Sequence, residues 1–408
     1  MAPGRIYYGW VVVATLSVTE TVSWGILYYG FPVFLQAMEE DLGASRVAVT
    51  GAFSAGMGIA ALCAVPVGRW LDRHGPRLLM TAGSCLATVL LLAWSRVDSL
   101  PALYAVWVAM GLAMASVLYE PAFVAIVSWF TTRHRDRALL VVTLAGGLAS
   151  TIFMPISAWL LVRLGWRTAL LVLAVVLAVL TIPLHALVLR PGPGAAPPRA
   201  AGQRVASEVT SFTLSTAMRT GVFWVLAAAF VVSNFATISV TVHLIPYLGD
   251  RGYSPTVAAA MVGWIGAMQL PGRLLFAPVA VWFGHRVVTA TIFFAQAAGL
   301  VQLALVARIP TLVPMVLLLG AANGMSTLAR ASSLAEIFGP RHYGSIAGAI
   351  ALGANGARAV GPVGASLLML ALGSYEAVFG LLTLALMGAG AAVLLAGTRV
   401  TVPGDSRT

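Results

Sequence analysis

Apolar residues along this chain are grouped into long stretches, which short polar segments separate from one another. A membrane-spanning α-helix needs roughly 20 apolar residues, and the stretches are about that long. A helix satisfies its own backbone hydrogen bonds, as lipid requires, whereas a transmembrane barrel would show alternating segments of about ten residues. The pattern predicts twelve spanning helices, at about residues 7–36, 46–67, 78–95, 101–130, 138–162, 168–189, 221–249, 255–281, 287–306, 311–338, 344–371 and 375–397.

The composition is that of a membrane protein rather than a soluble one. Hydrophobic residues make up 60% of the 408 positions, charged residues make up 9%, and the mean hydropathy is +0.94. A soluble fold cannot hide that much apolar surface. The two cysteines, Cys63 and Cys85, fall in the second and third spans. We expect them to be buried apolar side chains rather than a disulfide or a metal site.

The net charge of +11 is carried by arginine, since all 24 basic residues are arginine and lysine is absent. With the N-terminus placed in the cytoplasm, fifteen arginines fall on cytoplasmic segments and six on the opposite side. This is the positive-inside bias, which predicts a multi-pass protein of the cell membrane with both termini in the cytoplasm. The basic residues therefore suit anionic lipid headgroups, and we expect no nucleic-acid partner.

The two halves of the chain repeat one another at an offset of 207 to 209 residues. The matched segments are Asp41–Ser45 with Asp250–Ser254, Phe130–His134 with Phe338–His342, and Leu164–Gly165 with Leu372–Gly373. Ser45 and Ser254 are suited to cap the helices that follow them. A Pro-, Gly- and Ala-rich segment separates the halves and predicts a flexible linker. We expect six-helix bundles at 1–189 and 220–408, related by pseudo-twofold symmetry, with a cytoplasmic linker at 190–219.

The segment after the second predicted span places an acidic residue among glycines and arginines. It reads Gly68-Arg-Trp-Leu-Asp72-Arg73-His-Gly75-Pro-Arg77. It resembles the signature loop of the major facilitator superfamily, which has matching residues at Gly68, Asp72, Arg73, Gly75 and Arg77. The resemblance implies an all-α membrane fold of twelve helices, with this loop as a latch of the outward-open state. Asp72 near a helix C-terminus opposes the helix dipole, so we expect a cation or a helix N-terminus as its partner.

A finer resemblance covers most of the chain. Motifs in spans 1, 4, 7 and 8 resemble the monocarboxylate transporter and oxalate:formate antiporter branch of that superfamily. They are Trp24–Phe34, Tyr119, His243–Leu248 and Gln269–Arg273. Animal monocarboxylate carriers have an aspartate one turn before the span-8 arginine. This chain has an amide at that position, Gln269, and is similar in this to bacterial members of the branch. Oxalate carriers have a second cation in span 11, and Arg358 occupies a similar depth.

Three arginines lie inside predicted spans, where a central arginine costs about 2.5–3.5 kcal/mol to insert. Arg273 in span 8 is a candidate to bind a planar anion through its forked guanidinium, or to form a permanent salt bridge with Glu20 or Glu120. Arg358 in span 11 is either a second ligand-binding group or held by neighbouring carbonyls. Arg330 in span 10 can extend towards the cytoplasm, and we expect it to be structural.

Other polar side chains at membrane depth are candidates for proton coupling. Burial favours the neutral form of a carboxyl group, so Glu20 or Glu120 can carry a proton, or can instead neutralise an arginine. His243 can change protonation near neutral pH, or can be a satisfied polar group. Tyr28 and Tyr119 can offer a hydroxyl to a carboxylate or can simply pack, and the branch resemblance favours Tyr119 as a substrate contact.

Three intramembrane arginines against two glutamates leave a cationic interior, which suits an anion. The residues and the resemblance together predict a secondary active transporter of a small organic anion, working by alternating access. Our hypothesis is symport of a monocarboxylate with a proton, with Arg273 as the anchor and Tyr119 and Gln269 completing its hydrogen bonds. Anion exchange of the oxalate:formate type, with Arg273 and Arg358 binding a dianion, is one alternative. Efflux of drug-like compounds is another.

The sequence carries no motif of an enzyme or a pump. It has no GxxxxGK[ST] loop for ATP, no G-x-S-x-G elbow, no nucleophile–base pair and no metal-ligand spacing. A channel filter motif is also absent. We therefore expect no enzymatic activity, no cofactor and no metal, and we expect the chain to function as a monomer in the bilayer.

Overall fold

The computed structural model describes residues 7–193, 211–253, 255–305 and 309–396, and no β-strand occurs in these ranges. The α-helices in chain order are α1 Tyr8–Ser23, α2 Gly30–Leu42, α3 Arg46–His74, α4 Pro76–Trp94, α5 Leu100–Val117, α6 Tyr119–Trp129, α7 Thr132–Gly147, α8 Ala149–Pro183, α9 Leu214–Met218, α10 Gly221–Asp250, α11 Pro255–Phe283, α12 His285–Ala304, α13 Ile309–Phe338, α14 Tyr343–Leu372 and α15 Tyr375–Leu395. Two π-helical turns occur, at Trp24–Tyr28 and Leu184–Val188.

Each of the twelve predicted spans falls on a helix. Within the described ranges, nine helical segments are long and apolar enough to cross a bilayer. One of them, His134–Val188, contains non-helical backbone at Gly165, so it covers two predicted spans. Helices α11 and α14 coincide with the eighth and eleventh predicted spans. The prediction of an all-α membrane fold is therefore confirmed.

Several predicted features lie outside the described ranges. Most of the predicted linker does, as does Ser254, the second of the two expected capping serines. The arginines there that entered the orientation argument are Arg5, Arg199, Arg204, Arg308, Arg399 and Arg407. The first capping serine is described: Ser45 Oγ accepts a hydrogen bond from the Ala48 amide at 3.3 Å, as predicted.

The chain is divided into two compact units. The first unit comprises Met1–Ser211 together with Phe338–Leu352, and the second comprises Phe212–Ile337 together with Gly353–Thr408. The chain thus first passes from one unit to the other at 211–212, inside the segment predicted as the linker, and it returns to the first unit for 338–352. The start of α14 groups with the first unit, which the repeat of the sequence does not anticipate.

Aromatic residues fill the core of each unit. In the first unit, Trp94 and Trp107 are fully buried, with ring centroids 5.0 Å apart. Phe31 packs on both, which joins α2 to α4 and α5. In the second unit, the Phe230 and Phe293 rings pack at 5.5 Å between α10 and α12. Such edge-to-face pairs add about 0.5–1.5 kcal/mol each beyond the area they bury.

The repeat is visible in the backbone of the two units. Glycines with positive φ, a conformation that other residues rarely adopt, recur at offsets of 208 or 209 residues. The pairs are Gly43 (58°) with Gly252 (82°), Gly75 (73°) with Gly284 (77°), and Gly165 (75°) with Gly373 (81°). The same helix–helix connections are therefore built in both halves.

The structure corrects three local expectations. The predicted loop Gly68–Arg77 is mostly helical, since α3 continues to His74 and α4 begins at Pro76, leaving Gly75 as the connection. The first span is interrupted by the π-helical turn, and the fourth by extended backbone at Leu118. Cys85 is exposed and Cys63 is half-buried, so the expectation of two buried thiols is wrong. In a membrane protein an apolar side chain on the outside contacts lipid, so apolar character does not require burial.

Candidate functional site

The first unit holds a buried carboxyl group at the end of α1. Glu20 is fully buried, and its Oε2 accepts a hydrogen bond from Trp24 Nε1 at 3.1 Å. Its Oε1 is buried without a hydrogen-bond partner among the described residues. The π-helical turn that begins at Trp24 widens the helix where the indole folds back on the carboxyl group. Such turns are frequently found at functional sites.

A second carboxyl group approaches Glu20 from α6. The extended backbone at Leu118 ends α5, so Glu120 lies in the first turn of α6, where the helix dipole favours negative charge. The carboxyl groups of Glu20 and Glu120 are close enough to interact electrostatically. The helix break falls at Leu118, three residues before Pro121, whose missing backbone N–H leaves a carbonyl of the preceding turn without its usual donor.

Aromatic rings surround this carboxyl pair. The Tyr119 ring centroid lies 5.0 Å from that of Trp24, and the Tyr119 hydroxyl is 3.4 Å from the Thr143 carbonyl oxygen. A Cβ added at Gly146 would lie 2.6 Å from the Tyr119 hydroxyl oxygen, so glycine is needed there. Tyr28, one turn after Trp24, stacks edge-to-face against it at 5.3 Å. Of the predicted site residues, Glu20, Glu120, Tyr119 and Tyr28 are therefore brought together.

The second unit buries an arginine inside an apolar helix. Arg273 is only 8% exposed. It stands ten residues before the end of α11 at Phe283, about 15 Å along the axis. At this level α11 and α13 touch through backbone: added Cβ atoms at Gly272 and Gly324 would overlap Ala321 and the Gln269 carbonyl. Gln269, one turn before Arg273, is half-buried.

Arg358 on α14 is positioned by a side chain that the sequence did not single out. Its Nε donates to Asn234 Oδ1 at 2.6 Å, and Asn234 Nδ2 donates to the Phe230 carbonyl oxygen at 2.8 Å. A side-chain amide, Asn234, is thus one partner of Arg358, and the alternative of main-chain carbonyls stays a prediction. Arg358 is exposed, whereas Arg273 is buried.

A polar cluster lies next to Asn234 on the same face of α10. Thr237 Oγ1 donates to Asn323 Oδ1 at 2.9 Å, and Gln296 Nε2 donates to the same oxygen at 2.8 Å. Sequence reasoning missed this cluster because it weighed charged residues above amides. An amide inside an apolar span, as in Gly320-Ala-Ala-Asn323-Gly324, is the signal that would have found it.

His243 lies apart from these groups. It stands nine residues after Asn234 on α10, about 13 Å further along the axis. Its Nδ1 is hydrogen bonded to the Tyr375 hydroxyl at 3.1 Å, and its ring packs on that tyrosine. This arrangement fits the alternative in which the histidine is a satisfied polar group.

A second histidine of this unit pairs with a carboxylate near the predicted cytoplasmic end: His285 Nδ1 lies 2.6 Å from Glu336 Oε2.

The Asp72 carboxylate sits at the N-terminus of α14, within the first unit. Its Oδ1 accepts from the Gly344 amide at 2.7 Å and its Oδ2 from the Ser345 amide at 2.8 Å. The start of a helix offers free N–H groups and a positive dipole end, which suits a carboxylate. Gly68 allows the close approach, since a Cβ there would overlap the Gly344 carbonyl oxygen. The expected type of partner, a helix N-terminus, is therefore present.

The arginines of this segment have different surroundings. Arg73 is exposed, and Arg77 Nε donates to the Ala186 carbonyl oxygen at 2.7 Å.

Comparison with known proteins shows the family of the chain. The family model of the Major Facilitator Superfamily matches residues 16–309, which include the segment Gly68–Arg77. The chain belongs to the major facilitator superfamily. Its membership confirms a multi-pass membrane protein of a transporter family rather than an enzyme.

Relatives of this facilitator fall in the predicted branch. Monocarboxylate transporter 13 of Bos taurus is 30% identical over 69% of this chain and 62% of its own length. The oxalate:formate antiporter of Oxalobacter formigenes is 26% identical over 56% of this chain and 53% of its own length. The chain thus spans less than two thirds of the length of either relative.

Among solved structures, the human organic anion transporter MFSD10 is similar over 96% of this facilitator and 100% of its own chain. The TM-score is 0.73 at 17% identity, a likeness that shows the fold alone. In the described part of the chain, no three His, Cys, Asp or Glu side chains are grouped closely enough to hold a metal ion.

Proposed function

We propose that this chain is a secondary active transporter that carries a small organic anion, a monocarboxylate, together with a proton. The observation that carries the proposal is the burial of Arg273 about 15 Å inside α11. A central arginine costs about 2.5–3.5 kcal/mol to insert, and a carboxylate that binds its fork offsets this cost. The names of the two relatives, a monocarboxylate transporter and an oxalate:formate antiporter, support the substrate class.

In this proposal the second unit recognises the anion. Arg273 presents two parallel N–H donors to the two carboxylate oxygens, a geometry that lysine cannot provide. Gln269, one turn earlier on the same face of α11, adds an amide donor. Arg358 contributes a second positive charge, with its guanidinium oriented by Asn234.

The first unit supplies the proton. Glu20 is buried, and a single indole N–H hydrogen bond is a weak support for a full negative charge. We therefore propose that Glu20 is protonated when the anion binds and exchanges this proton with Glu120, which interacts with it electrostatically. The Tyr119 hydroxyl, next to Glu120 in the chain, is the proposed hydroxyl contact for the substrate. Tyr28 and His243 remain further candidates.

The conformational cycle is proposed to be alternating access by movement of the two units. Asp72, bound to the start of α14, is the proposed latch, with Gly68, Arg73, Gly75 and Arg77 as its supporting residues. We also propose that the transporter works as a monomer in the cell membrane, with both termini in the cytoplasm.

Anion exchange is the second candidate, because two of the intramembrane arginines of the second unit, Arg273 and Arg358, are candidates to bind the substrate. Two guanidinium groups suit a dianion, and exchange of one anion for another needs no proton. The two modes differ in what drives uptake into liposomes. Symport needs an inward proton gradient, whereas exchange needs an anion trapped inside the vesicle.

The test is uptake of radiolabelled monocarboxylates by purified protein in liposomes, with the Arg273→Lys variant beside the wild type. Lysine keeps the charge and loses the fork, so we expect uptake to fall by about tenfold to a hundredfold, the loss of one bidentate bond. Arg330→Lys is the matched control and should transport normally. Normal uptake by Arg273→Lys would remove Arg273 from the site. Stabilisation of the protein by short carboxylates in thermal unfolding gives an independent measure of binding.

A further inference from the structure

A cavity of about 250 Å³ lies in the second unit, and neither Arg273 nor Arg358 is among its described lining residues. The ends of four helices enclose it: the starts of α10 and α12, the end of α13 and the end of α15. Its polar lining consists of His285, Arg286, Thr289, Ser333 and Glu336. Its apolar lining consists of Val222, Val225, Leu226, Ile337, Val393 and Ala396. The predicted orientation places it on the cytoplasmic side.

The repeat of the chain shows why the second unit has this cavity. Arg77 Nε donates to the Ala186 carbonyl oxygen at 2.7 Å, and Arg286 Nε donates to the Val393 carbonyl oxygen at 3.1 Å. The two contacts are equivalent, so they align the corresponding helices of the two units at this level. The comparison of the two regions can then be made residue by residue.

Large side chains occupy the equivalent region of the first unit. Met80 and Leu189 are fully buried there, and the aligned residues of the second unit are Thr289 and Ala396. His185 is also fully buried, hydrogen bonded to Ser84 and to the Met80 carbonyl oxygen. Among the described residues, the second unit therefore keeps the framework of this region but has smaller side chains at these two positions. Protein interiors are normally close-packed, and a concave, mostly apolar space is the usual form of a small-molecule site.

The side chains that line the cavity favour an anion. His285 Nδ1 pairs with Glu336 Oε2 at 2.6 Å, and the Thr289 and Ser333 hydroxyls are hydrogen bonded to each other at 3.0 Å. Arg286 is bound to a neutral carbonyl oxygen. Glu336 is thus engaged by His285, and the Arg286 guanidinium is the positive group of the lining that an anionic head would contact. The opposite wall is aliphatic.

We propose that this cavity binds a small amphipathic anion, with its charged head against Arg286 and its tail among the aliphatic residues of α10 and α15. At about 30 Å³ for each water-sized group, the cavity holds about eight heavy atoms, the size of a six-carbon carboxylate. The head can belong to a soluble carboxylate or to an anionic lipid. None of its described lining residues belongs to the transport site proposed above.

The experiment measures thermal unfolding of the purified full chain with hexanoate as the probe. The Arg273→Gln background removes the other candidate anion site. We expect hexanoate to raise Tm in this background, with the rise growing as the logarithm of its concentration. Hexanol, which lacks the charge, and inorganic phosphate, which lacks the tail, should give smaller shifts.

Two filling variants restore the residues of the first unit. Ala396→Leu and Thr289→Met should each weaken the apparent affinity for hexanoate by about tenfold or more, because they occupy the space of the tail. Ala391→Leu, an exposed alanine on the same helix, is the matched control and should respond as its parent does. The proposal is overturned if hexanoate does not raise Tm, or if a folded filling variant responds like its parent. The two substitutions are at different helices. If one of these variants fails to fold, the other still tests the proposal.

The source of the anion is distinguished in nanodiscs. Discs of phosphatidylcholine alone are compared with discs that also contain phosphatidylglycerol. An anionic lipid in the cavity would lower the hexanoate affinity of the parent in the second kind of disc and leave the filling variants unaffected. Equal affinity in both discs assigns the cavity to a soluble anion.

Discussion

Replacement of Asp72 by asparagine is expected to release the start of α14 from the end of α3. In the structure two main-chain N–H groups donate to this carboxylate, at 2.7 and 2.8 Å. A hydrogen bond to a charged group contributes about 1.5–3 kcal/mol, and the asparagine oxygen retains one neutral bond of about 1 kcal/mol. The net loss is about 2–5 kcal/mol, which shifts an equilibrium by about 30-fold to 4,000-fold.

This shift can be measured as a distance. Spin labels at Arg69→Cys and Arg341→Cys, both exposed, report on the two segments in a background of Cys63→Ser and Cys85→Ser. We expect one short distance with Asp72 and an added longer distance with Asp72→Asn. Asp98→Asn, an exposed aspartate between α4 and α5, is the control for the chemistry of the change. An unaltered distance distribution in Asp72→Asn would refute the assignment of a binding energy to these two hydrogen bonds.

Three further substitutions test the other contacts. Glu20→Gln keeps an acceptor for Trp24 but has no proton to release, so uptake should lose its dependence on a pH gradient while the protein stays folded. Gly146→Ala places a methyl group against the Tyr119 hydroxyl and should lower uptake at least about tenfold, for a shift of the ring of about 1 Å. Asn234→Ala removes the acceptor of an arginine Nε–H and should weaken anion binding by about 1.5–3 kcal/mol in a calorimetric titration.

Each of these substitutions has a control in the chain. Glu40→Gln changes an exposed glutamate, and Gly388→Ala adds a methyl group where nothing lies within 4 Å. Thr241→Ala alters a side chain on α10 that bonds only its own helix. Uptake by Glu20→Gln that still follows the pH gradient would exclude this group as the proton carrier. A normal rate in Gly146→Ala, or normal affinity in Asn234→Ala, would show that the tyrosine or Arg358 needs no such positioning.

The helices could be predicted from the sequence because each span is long and apolar, and length alone decides between helix and strand in a membrane. The interruptions could not be predicted equally well. Apart from Gly25, the residues from Ser23 to Tyr28 carry no helix-breaking signal, and none of them specifies a π-helical turn. The break at Leu118 had a partial signal, since Pro121 cannot donate a hydrogen bond to the preceding turn.

The polar sites were predicted where charge made them conspicuous. Arg273 and Glu20 stand out because each is costly in lipid, and both are buried in the structure. The partner of Arg358 was not predicted, because Asn234 lies 124 positions away in the chain and a neutral amide carries little penalty. Exposure was also misjudged for Cys85, since residues that face lipid and residues that face the core have the same apolar character.

The connections at Gly75 and Gly284 are a single residue long and force the chain to reverse within one peptide unit. Helices α3 and α4, and likewise α11 and α12, therefore cannot change their tilt towards each other without rotating about the φ and ψ angles of that one glycine. Each of these helix pairs must therefore move as one rigid body during any rearrangement. An epitope tag or reporter domain inserted at either glycine would separate the two helices of the pair. Fusion sites are therefore better chosen at the longer connection between α4 and α5.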